Sequence, residues 1–161
     1  MYKTEAIITK VENFKENHLS ISVYSSEYGQ KSLVVFGGKS KKKNSTYVKG
    51  SLNNIEFDNN NVCLSSTSIN KFKWFLFSKY ELKTIDYFCF LINKLLFLTD
   101  QNSNVVSYYL LLISKLNERS NYLPELLLLE LEILKASGYQ PDLNESVLKK
   151  IFNFHDKSNL K

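Results

Sequence analysis

The sequence predicts an α+β fold, with a small β-barrel in the first half and an α-helical bundle in the second. Three observations lead there. Before residue 70, apolar and polar residues alternate in short runs separated by glycine and asparagine turns. From Ser78 onwards the apolar residues recur at helical spacing instead. The chain has 161 residues, 43% of them hydrophobic, so it can bury a real core as one domain or two small ones.

The strands follow in order. "TEAIITKVE" places Ile7, Ile8 and Val11 in a first β-branched run. "HLSISVYS" puts Leu19, Ile21 and Val23 on one face and Ser20, Ser22 and Tyr24 on the other. "EYGQ" is a turn in which Gly29 supplies positive φ. "KSLVVFGG" is a third strand and "GSLNNIEF" a fourth. "NVCLSSTSI" is a fifth, after the turn Asn59-Asn60-Asn61. Five short strands at this spacing point to a five-stranded closed barrel of the OB type. An SH3-like barrel shows the same period, so the period alone does not choose between them.

In the second half, Ser78-Lys79-Tyr80-Glu81 has the form of a capping box. Ile85, Phe88, Cys89, Ile92, Leu95 and Leu96 then follow at helical spacing, and "NVVSYYLLLISKLNE" is a second helix. A third, "LPELLLLELEILKASG", has Pro124 at its start and Gly138 at its stop. Its leucines at 126 to 129, 131 and 134, with Ile133, cover more than one face, which predicts the central helix of the bundle. A short fourth helix follows Asn144, with Val147, Leu148, Ile151 and Phe152 on one side. "NKFKWFLFS" marks the boundary, dividing the chain into domains 1–72 and 73–161. Its aromatics Phe72, Trp74, Phe75 and Phe77 either seal the joint or meet a partner.

Charge is unevenly spread. The net charge is +5, yet no acid lies between Glu27 and Glu56, where Lys31, Lys39, Lys41, Lys42, Lys43 and Lys49 all fall. Such a block is either a solvated loop or a surface for a polyanion. Cys63 and Cys89 stand alone in apolar surroundings, as buried thiols do in a reducing compartment. The chain opens on no secretory signal. Its most apolar stretch, 85–98, is interrupted by Asp86, Asn93 and Lys94 and falls short of the ~20 apolar residues of a span. The expectation is a cytoplasmic protein with no membrane contact.

"LVVFGGKSKKKN" poses the main functional choice. Gly38-Lys39-Ser40 ends like a phosphate-binding P-loop, but Leu33 occupies the first glycine position. Lys41, Lys42 and Lys43 would also crowd positive charge onto the positive end of any following helix. The alternative is a hairpin tip that grips a nucleic-acid backbone without reading sequence. Tyr24, Tyr28, Phe36 and Tyr47 flank it. Phe36, within an apolar run, is assigned to the core, and Tyr47, beside the lysines, to stacking on bases. His18 and His155 lack partners at ligand or triad spacing, and Glu130 and Glu132 point to different helix faces. Nothing here composes an active site, so the protein is not expected to be an enzyme.

"LPELLLLELEILKASGYQPDL" resembles the leucine-rich helix and Gly-Tyr-x-Pro-Asp-Leu turn of the RecO family of bacterial recombination mediators, the turn here being Gly138 to Leu143. The segment from Thr4 to Ser45 is similar to the opening of that family, with Thr4, Ala6, Ile7 and Ile8 on the first strand and Glu16-Asn17 and Glu27-Tyr28-Gly29 at the turns. "VKGSLNNIEF" resembles its next strand. The likeness covers residues 4 to 60 and 120 to 143. It implies an N-terminal OB fold, a helical C-terminal domain, and binding to single- and double-stranded DNA. It also implies annealing of complementary strands and recombinase loading with RecR on strands coated by single-strand-binding protein. The basic hairpin of the family corresponds to Lys39, Lys41, Lys42 and Lys43, with Lys31 on the strand leading in. Lys49 and Tyr47 join them as candidate DNA contacts. Many relatives carry a cysteine-rich zinc segment after the Pro-Asp-Leu turn, where this sequence reads "NESVLKKIFNFHDK" without cysteine. No zinc and no other cofactor is expected. A protein-interaction adaptor that kept the fold but binds DNA weakly is the second reading.

Overall fold

The computed structural model describes residues 1–40, 45–69, 77–96 and 103–139. Among them, five strands form one antiparallel sheet: β1 (Tyr2–Phe14), β2 (His18–Ser25), β3 (Gly29–Val35), β4 (Leu52–Phe57) and β5 (Cys63–Ser68). Three helices follow: α1 (Lys79–Leu95), α2 (Ser103–Glu118) and α3 (Leu123–Ala136). The strand order is β3-β2-β1-β4-β5. β1 is long because it serves two partners in succession, and Ile7 faces both Tyr24 of β2 and Leu52 of β4. The register with β2 slips between Ile8 and Lys10, a bulge centred on Thr9.

Period-two patterning sorts the side chains to two faces. Ala6, Ile8, Leu19, Ile21, Val23, Leu33, Val35, Ile55, Phe57 and Cys63 bury into an inner cluster on one face. Ile7, Tyr24 and Leu52 point the other way and join Ile85, Phe88, Cys89, Ile92, Tyr109 and Leu112 in an outer cluster beneath the helices. Sheet and helices therefore share one of the two cores. Burying each of these large side chains is worth about 1.5–3 kcal/mol, which makes this docking a principal stabiliser. Phe88 and Tyr109 stack at 4.2 Å within it. Asn93 of α1 fastens the joint. It donates to the Thr9 carbonyl freed at the bulge (3.1 Å) and accepts from Thr9 Oγ1 (2.9 Å) and Gln30 Nε2 (3.0 Å).

The sheet is not the closed barrel expected from strand spacing. Among the described residues its two edges meet at one parallel bridge, Val34 to Val62, where Val34 N donates to Asn61 O at 2.9 Å. Overlap stops there because β3 runs straight into the Phe36–Lys39 turn, while β5 only begins at Cys63.

Local signals at the helix ends were legible. Ser78 Oγ accepts from Glu81 N at 3.4 Å, and the Glu81 carboxylate accepts from Ser78 N, completing the capping box. Pro124 lies in the first turn of α3. Gly138, at φ +84°, donates to Lys135 O while Tyr139 N reaches Leu134 O, which is a Schellman stop. The expected central position of α3 does not hold among the described residues. Only Leu129 and Ile133 are fully buried, and Leu127, Leu128, Leu131 and Leu134 are half-buried. α3 lies at the margin of the outer cluster, mainly on α2. The fourth helix with Val147, Leu148, Ile151 and Phe152, the aromatics Phe72, Trp74 and Phe75, and the Pro141–Leu143 turn lie outside the described residues. Phe77 is half-buried against the outer cluster.

Candidate nucleic-acid interface

The lysine-rich segment begins where β3 ends. Gly38 has no space for a side chain: a Cβ would meet Leu19 Cγ at 2.9 Å and Val35 Cγ1 at 3.1 Å. Its small size therefore serves close packing on the inner cluster rather than the wrapping of a phosphate. Gly37 N donates to His18 Nδ1 at 3.2 Å, and Lys39 Nζ donates to Lys15 O at 2.9 Å. These bonds lash the turn to the β1–β2 turn. Lys41, Lys42 and Lys43 lie outside the described residues.

The two aromatic assignments made from sequence are exchanged. Phe36 is 53% exposed and stands edge-on to His18 at 4.8 Å. Strand alternation explains this, because Leu33 and Val35 take the inner positions and leave Phe36 outside. Tyr47 is buried in the inner cluster, so its ring offers no face for a base. Asn53 helps set that position: its Nδ2 donates to Thr46 O at 3.0 Å and ties the residue before Tyr47 to β4. Burial raises the Tyr47 phenol well above its ordinary value, with Cys63 (3.9 Å from the hydroxyl) adding to the effect.

The remaining lysines of the block diverge. Lys31 lies near the start of β3, at the far end of the strand from Lys39, in a pocket with Tyr2, Tyr28 and Phe57. Lys49 reaches the helices and pairs with Asp86 at 2.7 Å. There it helps line a groove of about 380 Å³ with Lys10, Val11, Phe90, Asn93 and Lys94. Lys10, Lys49 and Lys94 thus converge from β1, the β3–β4 connection and α1, around a phenyl ring that is 54% exposed. Lys10 also pairs with Glu12 at 2.8 Å. Exposed pairs of this kind are worth at most about 1 kcal/mol, so a polyanion can displace the carboxylates. Sequence reasoning missed Lys10, Phe90 and Lys94. They are joined only by the docking of α1 on β1, which no local spacing announces.

Beneath the groove, burial pushes the Cys89 thiol up to about 12, opposed by Lys49 and reinforced by Asp86. It is a packing residue, not a nucleophile. Among the described residues no group of three or more His, Cys, Asp or Glu side chains could hold a metal ion. Nor is any helix among them long and apolar enough to cross a membrane.

Residues 1–68 match the family described as Recombination protein O N terminal. Over these residues the chain is similar to the N-terminal domain of RecO proteins. The matched residues end with β5, so the likeness rests on the sheet and its turns, including the hairpin with Gly38 and Lys39. The helices, and the likeness to the RecO leucine-rich helix, lie beyond the matched residues. A search of curated proteins finds no match. RecO proteins belong to DNA repair and recombination.

Proposed function

We propose that the protein is a cytoplasmic, non-enzymatic DNA repair and recombination mediator. In this role it binds single- and double-stranded DNA, anneals complementary strands and helps load recombinase together with RecR on strands coated by single-strand-binding protein. Residues 1–72 are the DNA-binding unit, an opened OB-type barrel, and 73–161 the helical unit. The strand order and the parallel Val34–Val62 bridge between the sheet edges support the OB-type reading. The observation that carries the DNA reading is the groove in which Lys10, Lys49 and Lys94 surround Phe90. Three cations from separate elements neutralise phosphates along a strand path, and the exposed ring accepts a base. In sequence, Lys39, Lys41, Lys42 and Lys43 add further positive charge after β3, and Lys31 lies near the start of that strand.

The test is annealing of complementary oligonucleotides, with and without single-strand-binding protein. Exchanging Lys10, Lys49 and Lys94 for Gln should weaken binding about equally for unrelated sequences. Each lost phosphate contact should lower the log–log salt slope by about 0.7 on single strands and about 0.9 on duplex. Unchanged affinity and slope in that variant, and in one lacking Lys39, Lys41, Lys42 and Lys43, would refute a lysine-borne interface.

α1 supports the adaptor as a second reading, since its side chains Tyr80, Leu82, Tyr87 and Phe90 are exposed. An adaptor would capture a partner protein equally well after the lysine exchanges and would show no annealing.

A further inference from the structure

The open seam of the sheet holds a second cavity, of about 410 Å³, between the start of β3 and the β4–β5 turn. Phe57, buried in the inner cluster, forms its floor. Tyr2 stacks on Phe57 with ring centroids 5.2 Å apart, and Tyr28 stands edge-on to both, at 5.5 and 5.6 Å. Tyr2 keeps 39% of its surface exposed. Lys31 lines one side, with Asp58, Asn59 and Asn61 of the β4–β5 turn on the other. The turn carrying the two amides is already braced, because Asp58 Oδ1 accepts from Asn60 N (2.9 Å) and Val62 N (2.8 Å). Asn61 sits at φ +58°, a conformation asparagine tolerates. Had the barrel closed along β3 and β5, strand backbone would occupy this space.

We propose that this seam pocket takes one unpaired nucleotide of a single strand. Its base lies against Tyr2 and Tyr28, its phosphate meets Lys31, and the Asn59 and Asn61 amides are the polar partners for the base edge. The size lies in the range of small-ligand pockets, and aromatic faces beside a cation are what a stacked nucleotide requires. A base paired within a duplex cannot present its face here, so the pocket distinguishes single from double strands where the lysines do not. The inference rests on the DNA-binding reading and adds a base-dependent contact to it.

The experiment uses the full chain with an oligothymidylate, a strand of equal length lacking bases, and a duplex. Wild-type protein should bind the oligothymidylate roughly tenfold more tightly than the abasic strand. Tyr2→Leu and Tyr28→Leu should each shrink that ratio while leaving the salt slope unchanged, since no phosphate contact is removed. Because Tyr28 also touches the inner cluster, ultraviolet crosslinking of an iododeoxyuridine strand to wild-type protein gives a readout free of folding defects. Crosslinks should map to Tyr2 or Tyr28. Equal affinity for base-bearing and abasic strands, or crosslinks confined to other residues, would overturn the proposal while leaving backbone binding intact. Failure to bind any of the three would sink the DNA-binding reading as well.

Discussion

Gly38 lies against the isobutyl group of Leu19 and the Val35 methyl with no gap for even one further carbon. Gly38→Ala should therefore overpack the inner cluster and cost about 1–3 kcal/mol, read as a lowered urea midpoint with an unchanged m-value. A P-loop glycine would instead give a loss of nucleotide binding at constant stability. The neighbouring aromatics show what a residue's sequence surroundings can and cannot tell. Phe36 was legible in principle, because extending the alternation of Leu33 and Val35 by one position places it outside. Tyr47 was not, since it lies in a connection without period and is held inward by Asn53 through the Thr46 carbonyl. Side-chain type and charged neighbours suggested a binding surface, whereas a hydrogen bond to the adjacent backbone decided otherwise.

At the scale of elements, strands and helix ends were readable because their signals are local. Alternation marked β2, the pair Ser78 and Glu81 marked the start of α1, and Gly138 marked the end of α3. How the elements meet was not readable. The leucines of α3 advertise more apolar surface than the outer cluster covers among the described residues, so counting them misplaced the helix. The fastening of α1 to β1 depends on Asn93, whose neighbours Ile92 and Lys94 give no hint of it. Asn93 also donates to Cys89 O at 2.7 Å, so its amide bridges helix and bulge. Asn93→Ala leaves the Thr9 carbonyl and hydroxyl without this partner and should cost about 1–3 kcal/mol. Because the basic groove is framed by the same joint, the variant should also loosen the protection of the Thr9 region in hydrogen exchange.

Across the whole molecule, two cores lie on opposite faces of one sheet, and each contains a buried tyrosine. Tyr47 closes the inner cluster, and Tyr109, fully buried, donates from its hydroxyl to Gly50 O in the outer one. Burial raises both phenols above the ordinary 10.0. The neutral form is thus favoured in the folded state, and its contribution is complete below about pH 10. As pH rises further, the unfolded chain ionises first and stability falls. Urea midpoints should accordingly decline above about pH 10, and Tyr47→Phe should make the decline shallower. An equal alkaline slope in the variant would place the responsible group elsewhere. The topology that builds these cores was partly legible: five strands could be counted, but the Val34–Val62 bridge that leaves the seam open could not, since it depends on where β3 turns away.

β1 has a further consequence in how the chain assembles. Its first residues, Tyr2 to Ala6, pair with β4, opposite Phe57 to Asn53, whereas the rest of the strand meets β2 across a tight turn. The β1–β2–β3 meander can form early from local contacts, and the distant strand must then close a long loop. Until it does, the start of β1 is a bare edge able to pair with a neighbouring chain. The stretch of sequence just before β4 contains Lys39, Lys41, Lys42, Lys43 and Lys49. Like charges on two such unfinished chains repel, so exchanging these lysines for Gln should raise light scattering during refolding from urea.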